Sequence, residues 1–225
     1  MIDLGLGSNV GSLMDVLLPA AWETLCMVAV SAPLCALSGL AIGALLVATS
    51  RDGISPTPSV YQGLAAITNL TRSIPFLILI VLLLPLTRLL VGSSIGTVAA
   101  MVPLVFGGTP YAARLAEAAL LEVDPGLVQA AITMGATPWQ AMWKVYIPEA
   151  VPGLIRAGTV LGITMINFSA MAGAVGGGGL GDLAIRYGYQ RFRMDVLLAA
   201  VVVLLALVQG MQWAGNTAAR QLDRR

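Results

Sequence analysis

Charged residues divide this chain into long stretches that hold none of them. Thr24 through Ser50, Leu89 through Ala113, Ala157 through Gly181 and Val196 through Ala219 contain no Asp, Glu, Lys or Arg. A helix crossing a hydrocarbon core of about 30 Å needs about 20 such residues, and each stretch is long enough. A fifth gap, Ser73 through Thr87, is shorter but carries the most apolar run, Phe76 through Leu84. It reaches membrane length if the uncharged polar residues before Arg72 supply the first turns and Arg72 extends toward an interface. The pattern predicts five spans, near 22–50, 60–87, 92–114, 153–176 and 195–218, with a cytoplasmic segment at 115–152. The expected fold class is all-α, a polytopic membrane protein with five transmembrane helices.

Composition supports the same class. Charged residues make up 10% of the chain and hydrophobic residues 58%, against about 25% charged in a soluble domain. So much apolar surface excludes an ordinary soluble enzyme, and it excludes disorder. The net charge of +1 gives no reason to expect a nucleic-acid partner. The absence of histidine removes the commonest general base and metal ligand near neutral pH. Cys26 and Cys35, nine positions apart on one expected helix, lie about 13.5 Å apart along its axis, beyond the reach of a disulfide. They read as small apolar residues.

The spans are rich in small residues, as in Ser38-Gly-Leu-Ala-Ile-Gly43. Small residues let helices approach closely in lipid, which argues for a bundle rather than a lone anchor. With five spans and the N-terminus outside, Arg51, Arg114, Lys144, Arg156, Arg220, Arg224 and Arg225 fall inside, and Arg88, Arg186, Arg191 and Arg193 outside. That bias places the C-terminus in the cytoplasm. Arg72 is left unassigned, with an interfacial lipid contact, a helix C-cap and a place on a transport path all open. The first 23 residues lack the basic region of a cleavable signal peptide.

Between the third and fourth spans, Arg114 to Arg156 carries two helix starts. Asp124-Pro125 matches an N-cap followed by the first helical position, and Gly135 offers a stop. Thr137-Pro-Trp-Gln140 matches a capping box. Helices are expected near 125–134 and 138–147, with Pro148 ending the second and Pro152 opening the next span. Trp139, Trp143 and Tyr146 at helical spacing suit either a lipid surface or a groove on another protein. Gly176-Gly-Gly-Gly179-Leu-Gly181 lacks the Lys-Ser/Thr of a phosphate-binding loop and reads as a flexible exit from the fourth span. No nucleotide-binding motif of that kind occurs, so the chain is not expected to hydrolyse ATP.

The 115–152 segment resembles the EAA loop of the membrane subunits of bacterial ATP-binding-cassette importers. It reads Gln129-Ala130-Ala131, three residues, Gly135, nine residues, Val145, one residue, Ile147-Pro148. Gln129 replaces the family's Glu, Val145 its Ile and Ile147 its Leu. Arg72-Ser-Ile-Pro-Phe76, Ser169-Ala-Met-Ala-Gly-Ala-Val175 and Tyr187-Gly-Tyr189 narrow the likeness to the permease subunits of methionine importers.

The resemblance implies that 115–152 is a cytoplasmic coupling-helix loop and that Gln129, Ala130, Ala131, Gly135, Ala136 and Thr137 couple to an ATPase. It also implies a homodimer in the bacterial inner membrane, two cytoplasmic ATP-binding subunits and an extracytoplasmic substrate-binding protein. It implies no cofactor in this chain, with ATP and magnesium used by the partner ATPase. Met171, with small neighbours, is a pore-facing plug or a flexible packing residue. Asn167 and Ser169 face a cavity or bond to nearby backbone. The alternatives are a permease for another amino acid or small solute, a stand-alone carrier or channel, and a non-transporting scaffold. No internal repeat appears and none of the four long gaps contains a carboxylate, which disfavours the carrier.

Overall fold

The computed structural model describes residues 10–222. The order is α1 Val10–Thr49, α2 Pro58–Ser73, α3 Phe76–Val91, α4 Thr97–Leu121, α5 Pro125–Thr133, α6 Pro138–Ala141, a π-helical turn Met142–Tyr146, α7 Ile147–Gly173, α8 Gly179–Leu183, a second π-helical stretch Ala184–Tyr189, and α9 Met194–Leu222. The described residues contain no β-strand. The architecture is therefore all-α, with four helical segments long and apolar enough to cross a membrane. A fifth span is made if α2 and α3 count as one, bent by 106° between them.

That bend has a local cause. Pro75 lacks an amide hydrogen and disfavours helical backbone at the residue before it. Ile74 is accordingly extended, at φ −80° and ψ 122°. The segment expected as a single span at 60–87 is thus two helices of 16 residues each. α1 also begins earlier than the charge pattern implied, because Asp15 and Glu23 limit the apolar stretch without ending the helix.

The described residues fall into two compact units, one of residues 10–31, 75–105 and 163–210, the other of 32–74, 106–162 and 211–222. In the first, Leu17 and Ala20 of α1 bury against Leu180 and Leu183 of α8 and Val196 and Ala200 of α9. Phe76 of α3 stacks on Phe168 of α7, centroids 4.0 Å apart and rings 6° from parallel. In the second unit, Val47 of α1, Leu120 of α4, Val128 of α5 and Met142, Tyr146 and Ala150 near the start of α7 form one core.

Within that second unit α1 and α4 are in close contact. A Cβ on Gly43 would lie 2.8 Å from the Ala113 carbonyl oxygen and 2.9 Å from the Glu117 nitrogen. Ser38 Oγ and Thr109 Oγ1 share a hydrogen bond of 2.9 Å at the same interface. Backbone approach of this kind is the usual contact between helices in lipid, where no hydrophobic driving force exists between apolar surfaces.

Gly43→Ala forces these backbones apart, whereas a Cβ on Gly63 of α2 meets nothing within 4 Å. Overpacking costs roughly 1–3 kcal/mol, while Ala in an open helical position gains about 0.5–1 kcal/mol. Thermal unfolding in detergent checks this: the midpoint should fall for Gly43→Ala and hold or rise for Gly63→Ala.

Candidate coupling and gating sites

The sequence expected α5 to begin at Asp124, and the structure shows how. Asp124 Oδ1 accepts the Gly126 amide at 2.8 Å, with Pro125 in the first turn. At the other end Gly135 takes φ +90°. Its amide donates to the Ile132 carbonyl at 2.9 Å, and the Ala136 amide to the Ala131 carbonyl at 3.0 Å. This paired closure is the Schellman arrangement, which satisfies the last carbonyls of a helix. Thr137 then opens α6: its Oγ1 accepts the Gln140 amide at 3.3 Å, and Gln140 Oε1 accepts the Thr137 amide at 3.0 Å. Two short helices are held head to tail without reliance on burial.

Val128 and Ala131 turn inward and fix α5 to the core beneath it. Gln129, Ala130, Gly135 and Thr137 are exposed, and Ala136 is half-buried. Of the six expected coupling residues only Ala131 is buried. The exposed surface continues through Met134, Trp139 and Trp143, with the two tryptophan rings 5.4 Å apart. Tyr146 does not join them, being buried in the core.

Pro148 does not end the second helix. The π turn Met142–Tyr146 carries α6 into α7, with the Ile147 amide donating to the Met142 carbonyl. Wider π hydrogen bonding relieves the clash a proline ring makes with the preceding turn, so α6 is a continuation of the span and not a separate element.

On α7, Asn167 and Met171 are four residues apart, on one face, and both are exposed. Ser169 lies on another face. It is buried, and its Oγ donates to the Ile166 carbonyl at 2.7 Å. The three residues expected at a gate therefore separate into an exposed pair and one structural hydroxyl.

The glycine run after α7 is a built turn and not a loose exit. Gly176, Gly178 and Gly179 have positive φ of 77–87°. The Gly96 amide donates to the Gly176 carbonyl at 2.9 Å. Glu23 Oε2 accepts the Gly179 amide at 2.6 Å, and Thr24 Oγ1 the Leu180 amide at 2.9 Å. Sequence reasoning missed both partners, which lie 156 residues away. The available signal was that Glu23 stands immediately before the first charge-free stretch, which Thr24 opens.

A family model described as "Binding-protein-dependent transport system inner membrane component" matches residues 39–220. The chain is 46% identical over 211 residues to a probable D-methionine transport system permease protein of Vibrio cholerae, covering 94% of each. It is 45% identical over 181 residues to the methionine import system permease protein of Bacillus subtilis, covering 80% of this chain and 82% of the other. Among solved structures it resembles a chain of the MetNI methionine ABC transporter in an inward-facing conformation, with a TM-score of 0.93 at 45% identity over 95% of this chain and 99% of that one. A chain of an amino acid ABC transporter solved with histidines shares the fold at a TM-score of 0.78 and 21% identity, covering 98% and 99%.

Glu23→Ala leaves the Gly179 amide without its carboxylate. Losing a hydrogen bond to a charged group costs about 1.5–3 kcal/mol, or roughly 10- to 150-fold in a local opening equilibrium. Hydrogen exchange of the peptide covering 176–181 should accelerate by at least the lower figure, while the peptide covering α5 is unchanged.

Proposed function

The chain belongs to the family of binding-protein-dependent transport system inner membrane components, and on that premise we propose that it is the permease subunit of an ATP-driven methionine importer. The observation that carries the reading is the 46% identity to a D-methionine permease over 94% of both chains. A multi-pass inner-membrane protein is the class, and the N-terminus lies outside. Two copies form the path. Each engages one cytoplasmic ATP-binding subunit, and an extracytoplasmic binding protein delivers methionine.

The α5–α6 segment is the coupling surface. Its ends are capped locally, so it keeps its shape while presenting Gln129, Ala130, Gly135 and Thr137 to a partner groove. Gln129 brings an amide where a carboxylate would bring charge, so this contact is a hydrogen bond and not an ion pair. The partner supplies the ATP and magnesium chemistry. The exposed Asn167–Met171 face of α7 lines the path, with Met171 as its plug.

Uptake of labelled methionine by liposomes tests this reading, with the candidate ATPase and binding protein added separately. Uptake is expected only when all three proteins and ATP are present, and unlabelled methionine competes better than other amino acids. Transport by this chain alone sinks the reading. In the same vesicles Met171→Ala should raise methionine leakage or ATP hydrolysis without uptake, and unchanged behaviour removes Met171 from the gate.

A further inference from the structure

One hydroxyl of the first unit is buried and unmet. Thr87 of α3 is 2% exposed, and its Oγ1 has no hydrogen-bond partner among the described residues. Other helical threonines bond the carbonyl four residues back, as Thr68 does to Leu64 and Thr159 to Ile155. Thr87 does not. On α4 a carbonyl is short of a donor. Pro103 carries no amide hydrogen, so the Ala99 carbonyl four residues before it is denied its helical partner. Ala99 is itself 3% exposed.

Both residues line one small cavity. Its wall is made by Thr87, by Ser94 before α4, by Ala99 and Pro103, and by Ala172 and Gly177 at the end of α7 and in the turn that follows. The space open to the centre of a water molecule is about 10 Å³. One water needs roughly 10–15 Å³ on this measure, so the cavity suits one water and no larger solute. The glycine turn cannot move in to fill it. A Cβ on Gly177 would already lie 3.0 Å from the Ala100 Cβ and 2.8 Å from the Ala172 carbonyl oxygen, so the turn is as near α4 as glycine allows.

We propose that this cavity binds one ordered water, which bridges the Thr87 hydroxyl of α3 to the Ala99 carbonyl of α4. The chemistry of the wall matches. A carbonyl can only accept, whereas a threonine hydroxyl donates or accepts. Water donates to the Ala99 carbonyl and makes its second bond with Thr87 Oγ1. The half-buried Ser94 hydroxyl offers a third partner, within the two to four that a buried water takes. Leaving a buried polar group unmet costs more than an ordinary hydrogen bond gains, so meeting two with one molecule holds α3 to α4. The inference does not rest on what the chain transports.

The test uses the full chain in its purified membrane complex. A density map that resolves ordered water should show one peak at hydrogen-bond distance, about 2.7–3.0 Å, from both Thr87 Oγ1 and the Ala99 carbonyl oxygen. A cavity without that peak overturns the proposal, and so does a Thr87 hydroxyl turned onto the Leu83 carbonyl four residues back. Thr87→Val adds a test by sign, because it nearly keeps the shape and removes the hydroxyl. With the water in place, it strips a partner from the bridge, and the thermal unfolding midpoint should fall by at least about 2–4 °C. If the hydroxyl is merely unmet, its removal raises the midpoint or leaves it unchanged, and that result overturns the proposal. Pro103→Ala returns an amide to the Ala99 carbonyl, so adding Thr87→Val to it should cost less than Thr87→Val alone. An equal fall in both backgrounds also overturns the bridge. Should either variant fail to assemble, the map of the unaltered complex decides.

Discussion

A backbone amide that leaves a helix inside hydrocarbon must be met by the protein, because no water is there to meet it. Two of the interruptions within otherwise apolar stretches show different answers. At Ile74–Pro75 the interruption is a proline, so one donor is deleted rather than orphaned. After α7 the interruption is a glycine run, and its donors are real. Those at Gly179 and Leu180 are taken by Glu23 and Thr24 of α1, and a carbonyl at Gly176 is taken by the Gly96 amide. Glycine is required here twice over. The backbone goes to positive φ, and a Cβ on Gly178 would sit 2.7 Å from the Glu23 carboxylate. Glu23 is thus a structural anion, whose presence at the end of a charge-free stretch follows from the turn it closes.

The same economy governs the buried charge of α4. Arg114, Glu117 and Asn69 tie α2 to α4 through a connected set of hydrogen bonds. Arg114 Nε remains buried without a partner, so even this set is not fully satisfied. In a soluble protein such a network is weak grounds for stability. What the pairing does is fix which face of α2 meets α4.

How much of this was legible depends on distance along the chain. The ends of α5 and the start of α6 were readable because Asp124, Gly135, Thr137 and Gln140 act on amides and carbonyls within five residues. The spans were readable because charge is excluded from hydrocarbon residue by residue. Pro148 misled, since a proline reads as a stop and nothing local reveals that a π turn before it makes room. Ser169 and Asn167 looked alike as polar residues in a span, and only the helix register separates a buried hydroxyl from an exposed amide. The Glu23–Gly179 contact and the Arg114–Asn69 contact join residues 156 and 45 positions apart. No local pattern carries such pairings.

The π turn also bears on how a docked segment does work. Were α6 joined to α7 by a loop, movement of the coupling surface would be spent in flexing that loop. Here Pro138 to Gly173 is helical throughout, with hydrogen bonds passing from α6 through Met142–Tyr146 into α7. The joint lies where Met142, Tyr146 and Ala150 are buried against Val47, Leu120 and Val128, so the start of α7 and the inward face of α5 share one core. A closely packed core transmits displacement because it has little free volume to absorb it. The proposed coupling surface and the helix that carries Met171 are continuous through bonded backbone.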